Sequence, residues 1–153
     1  TEATLDAHLT SDFNLVKQEI DQLSPEGWTN IGDAINLTIQ EFQTNGRNDS
    51  IWAFILLSDG DANRPYNETY AREYALEQAA IAREMGIRSY TIGLGANTES
   101  FDEDLLRQIA SETYYYAPSA EDLTDIYLMI AEDLMFEVRY DIVIIQLTLI
   151  RGG

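Results

Sequence analysis

Residues Ile51–Asn63 read IWAFILLSDGDAN, an unbroken apolar run from Ile51 to Leu57 that stops at Ser58-Asp59-Gly60. A short apolar run ending abruptly in turn chemistry fits a strand buried on both faces, the central strand of an α/β sheet. Open α/β sheets bind their ligands just beyond the carboxyl ends of the strands. Asp59 is therefore expected where such a fold does its binding. Asp-Gly after a strand is also good turn chemistry. A turn role for Asp59 thus stands beside a role as ligand of a hard divalent cation, which takes carboxylate and hydroxyl oxygens.

Working outward, Gln43–Ser50 is a polar loop before this strand, and Ile31, Ile35, Ile39 and Phe42 form the apolar stripe of a helix ahead of it. Thr29-Asn30-Ile31-Gly32-Asp33-Ala34-Ile35 leads into that helix, where Thr29 is a natural cap and Asp33 a favourable first-turn acid. Further upstream, Thr1–Leu9 reads as extended. Thr10-Ser11-Asp12 then caps a helix over Phe13–Leu23 with Phe13, Val16, Ile20 and Leu23 at helical spacing.

Downstream, Asp59–Asn67 is rich in turn residues. Glu68–Met85 is predicted as a long amphipathic helix closed by Gly86. A strand over Ile87–Leu94, a helix over Phe101–Ser111, a short strand over Thr113–Tyr116 and a helix from Ser119 to about Leu134 follow. Strands alternating with helices predict an α/β, doubly wound, mostly parallel sheet with helices on both faces. From Phe136 the pattern changes. Phe136, Val138, Tyr140 and Ile142 alternate with charged residues, and the run becomes continuously apolar at Val143-Ile144-Ile145, which predicts a strand.

Composition narrows the function. The 153 residues, 45% apolar and 24% charged, suit one globular domain. Twenty-seven acidic against nine basic residues give a net charge of −18, which disfavours nucleic acid and anionic membrane as partners. There is no cysteine, hence no disulfide, thiolate metal site or cysteine nucleophile, and His8 is the sole histidine. No apolar run is long enough to span a membrane. Thr1 opens the chain without a methionine or a signal-like segment, so this N-terminus is not expected to be the natural one.

Asn36, Asn48 and Asn67 each begin an N-glycosylation sequon. Eight Asn and twenty Ser or Thr would give roughly one match by chance, so three suggest an exported or cell-surface protein. Asn36 falls inside a predicted helix, which weakens that site. Two further patterns fail on inspection. Asp59-x-Asp61-x-Asn63 begins like a calcium-binding EF-hand loop, but Arg64 and Tyr70 stand where the loop needs Gly and Glu. Gly93-Leu94-Gly95 has Thr98 where a dinucleotide-binding turn needs its third glycine.

Taken jointly, Thr29–Ile35, the apolar strand and Leu57-Ser58-Asp59-Gly60 resemble the von Willebrand factor type A domain family. That family carries a metal-ion-dependent adhesion site on three loops: an Asp-x-Ser-x-Ser, a threonine before a helix, and an aspartate after a later strand. Thr29 is similar to the second motif and Asp59 to the third. Ile87–Gly95, Leu105–Glu112, Tyr114–Tyr116 and Ala120–Leu134 resemble later elements, so the likeness covers about Thr4 to Leu134. No Asp-x-Ser-x-Ser occurs in the chain. An N-terminal truncation, with that motif upstream, is the simplest account. Residues 1–135 are then a partial domain, and 136–153 a C-terminal strand that leads toward a following domain or completes the sheet. In the second case it would take the place of the family's first strand, although Gln146–Arg151 lacks the required aspartate and serines.

The resemblance implies a divalent-cation-dependent protein-binding module of adhesion type. Thr29 and Asp59 would hold Mg²⁺ (or Mn²⁺ or Ca²⁺) in a site incomplete in this chain, and a protein partner would present a carboxylate to the ion. Asp33, Gly60, Asp61 and Asn63 would shape the loops or support the ligands. The alternatives are a structural module whose metal site has decayed, or a metal-assisted hydrolase. The single histidine, the lack of cysteine and the lack of a phosphate-cradling loop speak against an enzyme.

Overall fold

Strand β1 (Trp52–Ser58) has six of its seven residues buried. Its alternate side chains serve two separate cores, with Phe54 and Leu56 on one face and Ala53, Ile55 and Leu57 on the other. The structure is a computed structural model and describes residues 3–22, 29–60, 62, 66–98, 101–137 and 144–150. A first helix, α1 (Phe13–Gln22), precedes α2 (Ile31–Asn45); α3 (Glu68–Glu84) follows β1. Then come β2 (Arg88–Leu94), α4 (Glu103–Ile109), β3 (Tyr114–Ala117), α5 (Ala120–Glu137) and β4 (Ile144–Ile150).

The sheet has the order β3-β2-β1-β4, and every pairing is parallel. The first core is closed by Ile31, Ile35, Ile39 and Phe42 of α2, by Ala71, Ala75, Ala79 and Ala82 of α3, and by Leu105, Leu106 and Ile109 of α4. Ile126, Ile130 and Leu134 of α5 close the second. The fold is thus the expected α/β architecture, with helices on both faces of a parallel sheet.

Local chemistry sets the element ends. Side chains of Asn30, Asn67 and Asp102 cap α2, α3 and α4 by accepting from backbone N–H groups three residues on. Asp102 also receives the Arg72 guanidinium, which reaches Asp104 as well and pins α3 to α4. At the far end of α3, Gly86 has φ +74°. Its N–H donates to Arg83 O and that of Ile87 to Ala82 O, the paired bonds of a left-handed helix stop.

The N-terminal segment lies along α2 and is held by two of that helix's carboxylates. Ala3 N donates to Asp33 Oδ2 at 2.7 Å, and Leu9 N to Glu41 Oε1 at 2.8 Å. Asn45 Nδ2 reaches both Glu41 oxygens at 3.1 Å, and His8 Nδ1 lies 3.0 Å from Oε2. Burial alone would raise the Glu41 pKa, but the bonds from Leu9, His8 and Asn45 outweigh it and hold the carboxyl below its ordinary 4.5.

Three readings of the sequence are corrected. Asn30, and not Thr29, is the cap of α2; the spacing of Phe13, Val16 and Ile20 gave the helix α1, and none of the three is buried. Helix α2 runs three residues beyond Phe42, carried by a stripe of Ala34, Thr38, Glu41 and Asn45 beside the apolar one. Phe136 and Glu137 are helical, although they open the strand-like alternation. Burial of Ile126, Ile130 and Leu134 at helical spacing outweighs a period-two pattern of so few residues. Val138, Tyr140 and Ile142 lie outside the described residues. None of the described helices is long and apolar enough to cross a membrane.

Two substitutions test this account. Gly86→Ala meets no atom within 4 Å, so its cost is one of backbone conformation; urea denaturation should read a loss of about 1 kcal/mol. Glu41→Ala strands the Leu9 N–H and should cost about 1–3 kcal/mol at pH 7. The folded-state pKa of Glu41 is lowered, so its contribution is present above the unfolded value and lost as pH falls through the folded one. The gap between parent and variant should therefore close on acidification below about pH 4.5. A gap constant down to the acid limit would contradict the assignment.

Candidate metal site

The site is built from two loop ends. Ring stacking of Phe42 on Trp52, with centroids 5.5 Å apart, sets the C-terminal part of α2 against the start of β1. The Trp52 Nε1–H donates to Arg47 O at 2.8 Å and fixes the same junction. From there α2 is long enough to run back along the strand; the eleven residue steps from Phe42 to Ile31 span about 16 Å, most of the length of β1. A helix of that length directed back along β1 would carry its first turn toward the carboxyl end of the strand, from which Asp59 emerges. Gly32 makes the approach of α3 possible, since a Cβ there would lie 2.3 Å from the Tyr74 ring.

Thr29 stands just before α2 and is fully buried, at 0% exposure. Asp59, half-buried, follows the last residue of β1. Ser58 Oγ donates to Gly60 O at 2.8 Å and accepts from Gly60 N at 3.4 Å, so the turn chemistry expected at Asp59-Gly60 is present. Asp33 accepts from Asn30-capped backbone on neither oxygen; its Oδ2 receives Ala3 N, while its own N–H donates to Asn30 Oδ1 at 3.1 Å. The Asp33 carboxylate thus anchors the N-terminal segment. Asp61 and Asn63 lie outside the described residues.

Thr29 thus precedes the Asn30 cap of α2, and Asp59 follows the last residue of β1. Among the described residues, no group of three or more His, Asp or Glu side chains could hold a metal ion. The register of β4 aligns Ile150 with Ser58, and residues 144–150 carry no Asp or Ser to that end. A threonine hydroxyl and a carboxylate are hard oxygen donors that suit Mg²⁺, Mn²⁺ or Ca²⁺. Two such donors leave most positions of an octahedral ion to water or to a partner.

Sequence reasoning missed the Glu41 cluster. Its signal was a second stripe on α2, Ala34, Thr38, Glu41 and Asn45, which places one carboxylate among buried positions. Of the three sequons, Asn48 and Asn67 are exposed, whereas Asn36 is half-buried and its Thr38 buried, with the hydroxyl donating to Ala34 O.

The fold is shared with known proteins. No curated protein sequence matches the chain. Proximal thread matrix protein 1 from the mussel byssus is similar in fold, with a TM-score of 0.60 at 24% identity over 78% of this chain and 28% of that one. Its second crystal form gives 0.57 at 23% identity over 87% and 31%. The manganese-loaded TRAP protein of Plasmodium vivax gives 0.52 at 20% identity over 81% and 50%. The chain thus spans about a third or less of the mussel protein and half of the Plasmodium one. The family model of the von Willebrand factor type A domain matches residues 1–128, and the chain belongs to that family.

Proposed function

We propose that this domain is a non-enzymatic module that binds a protein partner through a divalent cation at the carboxyl end of β1. The reading rests on two donors at element ends: buried Thr29, one residue before the cap of α2, and half-buried Asp59, the residue after β1. A neighbour of the same fold, the TRAP protein, is manganese-loaded. The Thr29 hydroxyl and the Asp59 carboxylate would hold Mg²⁺ or Mn²⁺, directly or through water. Bound there, the ion supplies a Lewis-acidic position for an acidic side chain of the partner. Asp33 and Gly60 fix the backbone on either side. The sole histidine is committed to Glu41 on α2, and no general base is offered to a substrate at the Asp59 turn by it. Exposed sequons at Asn48 and Asn67 support an extracellular or cell-surface setting.

A second reading is a structural module whose metal site has decayed. It is favoured by the absence of a three-acid cluster among the described residues and of Asp or Ser on residues 144–150.

Calorimetric and spin-resonance titration of the whole chain with Mn²⁺ separates the two. The cation reading expects saturable binding that weakens at least about tenfold in Asp59→Ala, as for loss of a charged ligand. Asp49→Ala, an exposed acid before the opposite end of β1, should bind like the parent. Equal binding by Asp59→Ala would sink the site, and no saturable binding by the parent would count against Thr29 and Asp59 as a cation site in this chain.

A further inference from the structure

Three tyrosines of the α3 region form a ladder that the proposed cation site does not use. Tyr66 stands edge-on to Tyr70 with ring centroids 5.1 Å apart, and Tyr70 stacks on Tyr74 at 6.4 Å. Tyr74 is the foot of the ladder, seated against Gly32 in the first turn of α2. The other two rings are open to solvent, Tyr66 at 79% and Tyr70 at 45% exposure. The top rung is held at a conformational cost. Tyr66 has φ +68° and is the one non-glycine residue with positive φ among those described. A bulky residue in the left-handed region costs about 1 kcal/mol or more, and such strain gathers at sites that bind.

The ladder is set among acids. Burial, and after it Asp33 and Glu77, push the Tyr74 hydroxyl above its ordinary range, so both carboxylates act on the ring. Glu73 and Glu77 lie one turn along the same helix face from Tyr70 and Tyr74. Arg72, the cation nearest in sequence on α3, is turned to Asp102 and Asp104 of α4. Aromatic faces carry negative charge density, and here they sit on a chain of net charge −18. A neutral proline-rich segment would draw on the rings alone; a cationic one draws on the rings and the carboxylates together.

We propose that the Tyr66–Tyr70–Tyr74 ladder is a docking surface for an extended, arginine-bearing segment of a protein partner. Guanidinium groups stack on tyrosine faces more readily than ammonium groups do. Side chains two residues apart on an extended chain lie about 6.6 Å apart on one side, close to the rung spacing. Arginines of such a segment can reach the exposed Tyr66 and Tyr70 rings, with Glu73 and Glu77 beside them. The surface is independent of any ion at Asp59, although it borders the same end of the sheet.

The test is fluorescence anisotropy of the whole chain with a labelled peptide of alternating arginine and glycine, in EDTA and at physiological salt. EDTA removes any cation-dependent binding, so failure at the ladder and failure at the metal site are read separately. The double variant Tyr66→Ala/Tyr70→Ala keeps the net charge and should weaken binding about tenfold. Tyr70→Phe, which preserves the ring, should bind like the parent and guards against a folding defect. An alternating lysine peptide should bind several-fold more weakly. Equal affinity of parent and double variant would reduce the interaction to bulk charge and overturn the proposal. Tighter binding of a polyproline peptide would assign the surface to a neutral proline-rich partner and overturn it equally.

Discussion

Burial of β1 on both faces is the constraint on which the rest of the structure depends. Seven consecutive residues with no polar side chain before Ser58 cannot present a wet face, so helices have to cover the strand twice. The two cores follow directly. One is assembled from α2, α3 and α4 against Phe54 and Leu56, the other from α5 against Ala53, Ile55 and Leu57. The backbone of such a strand also has to be paired on both flanks, which β2 and β4 do in parallel. A parallel sheet in turn sends every strand end to the same side, and Asp59 leaves β1 at that side.

Polar chemistry at that end is organised by the helix starts. Asn30 caps α2 immediately after Thr29, and Asn67 caps α3 immediately after Tyr66. Each cap fixes the backbone of the residue before it. One follows a residue with a buried hydroxyl, and the other follows an exposed ring in a strained conformation. The N-terminal segment adds a clasp along α2, with Asp33 and Glu41 as its two fastenings.

The layers of the fold were legible because burial leaves periodic traces. The stripe Ile31, Ile35, Ile39, Phe42 and the apolar run of β1 each announce both an element and its covered face. Gly86 marks its helix end as clearly. Phe13, Val16 and Ile20 show the converse: periodicity gives the helix but not what covers it, and their stripe lies uncovered. The C-terminal strand was expected, whereas the residues it pairs with depend on tertiary packing that no local pattern encodes. Asp59 stood out as a strand-end carboxylate, and Thr29 as a candidate ligand only through the family resemblance. The Glu41 fastening and the tyrosine ladder were not seen, because each needs contacts between segments that a linear pattern does not order.

The pairing of β4 with β1 bears on how the chain folds. β1 meets β2 through a single crossover of about thirty residues, the usual size for a strand–helix–strand unit. Trp52 meets Ile144 only after about ninety residues of intervening chain, and closing so long a loop is entropically costly. The β1–β2 flank is thus the early half of the sheet and the β1–β4 flank the late half. Until β4 arrives, one edge of the most apolar strand in the molecule stays open, the state in which a stray strand from another chain can add to it.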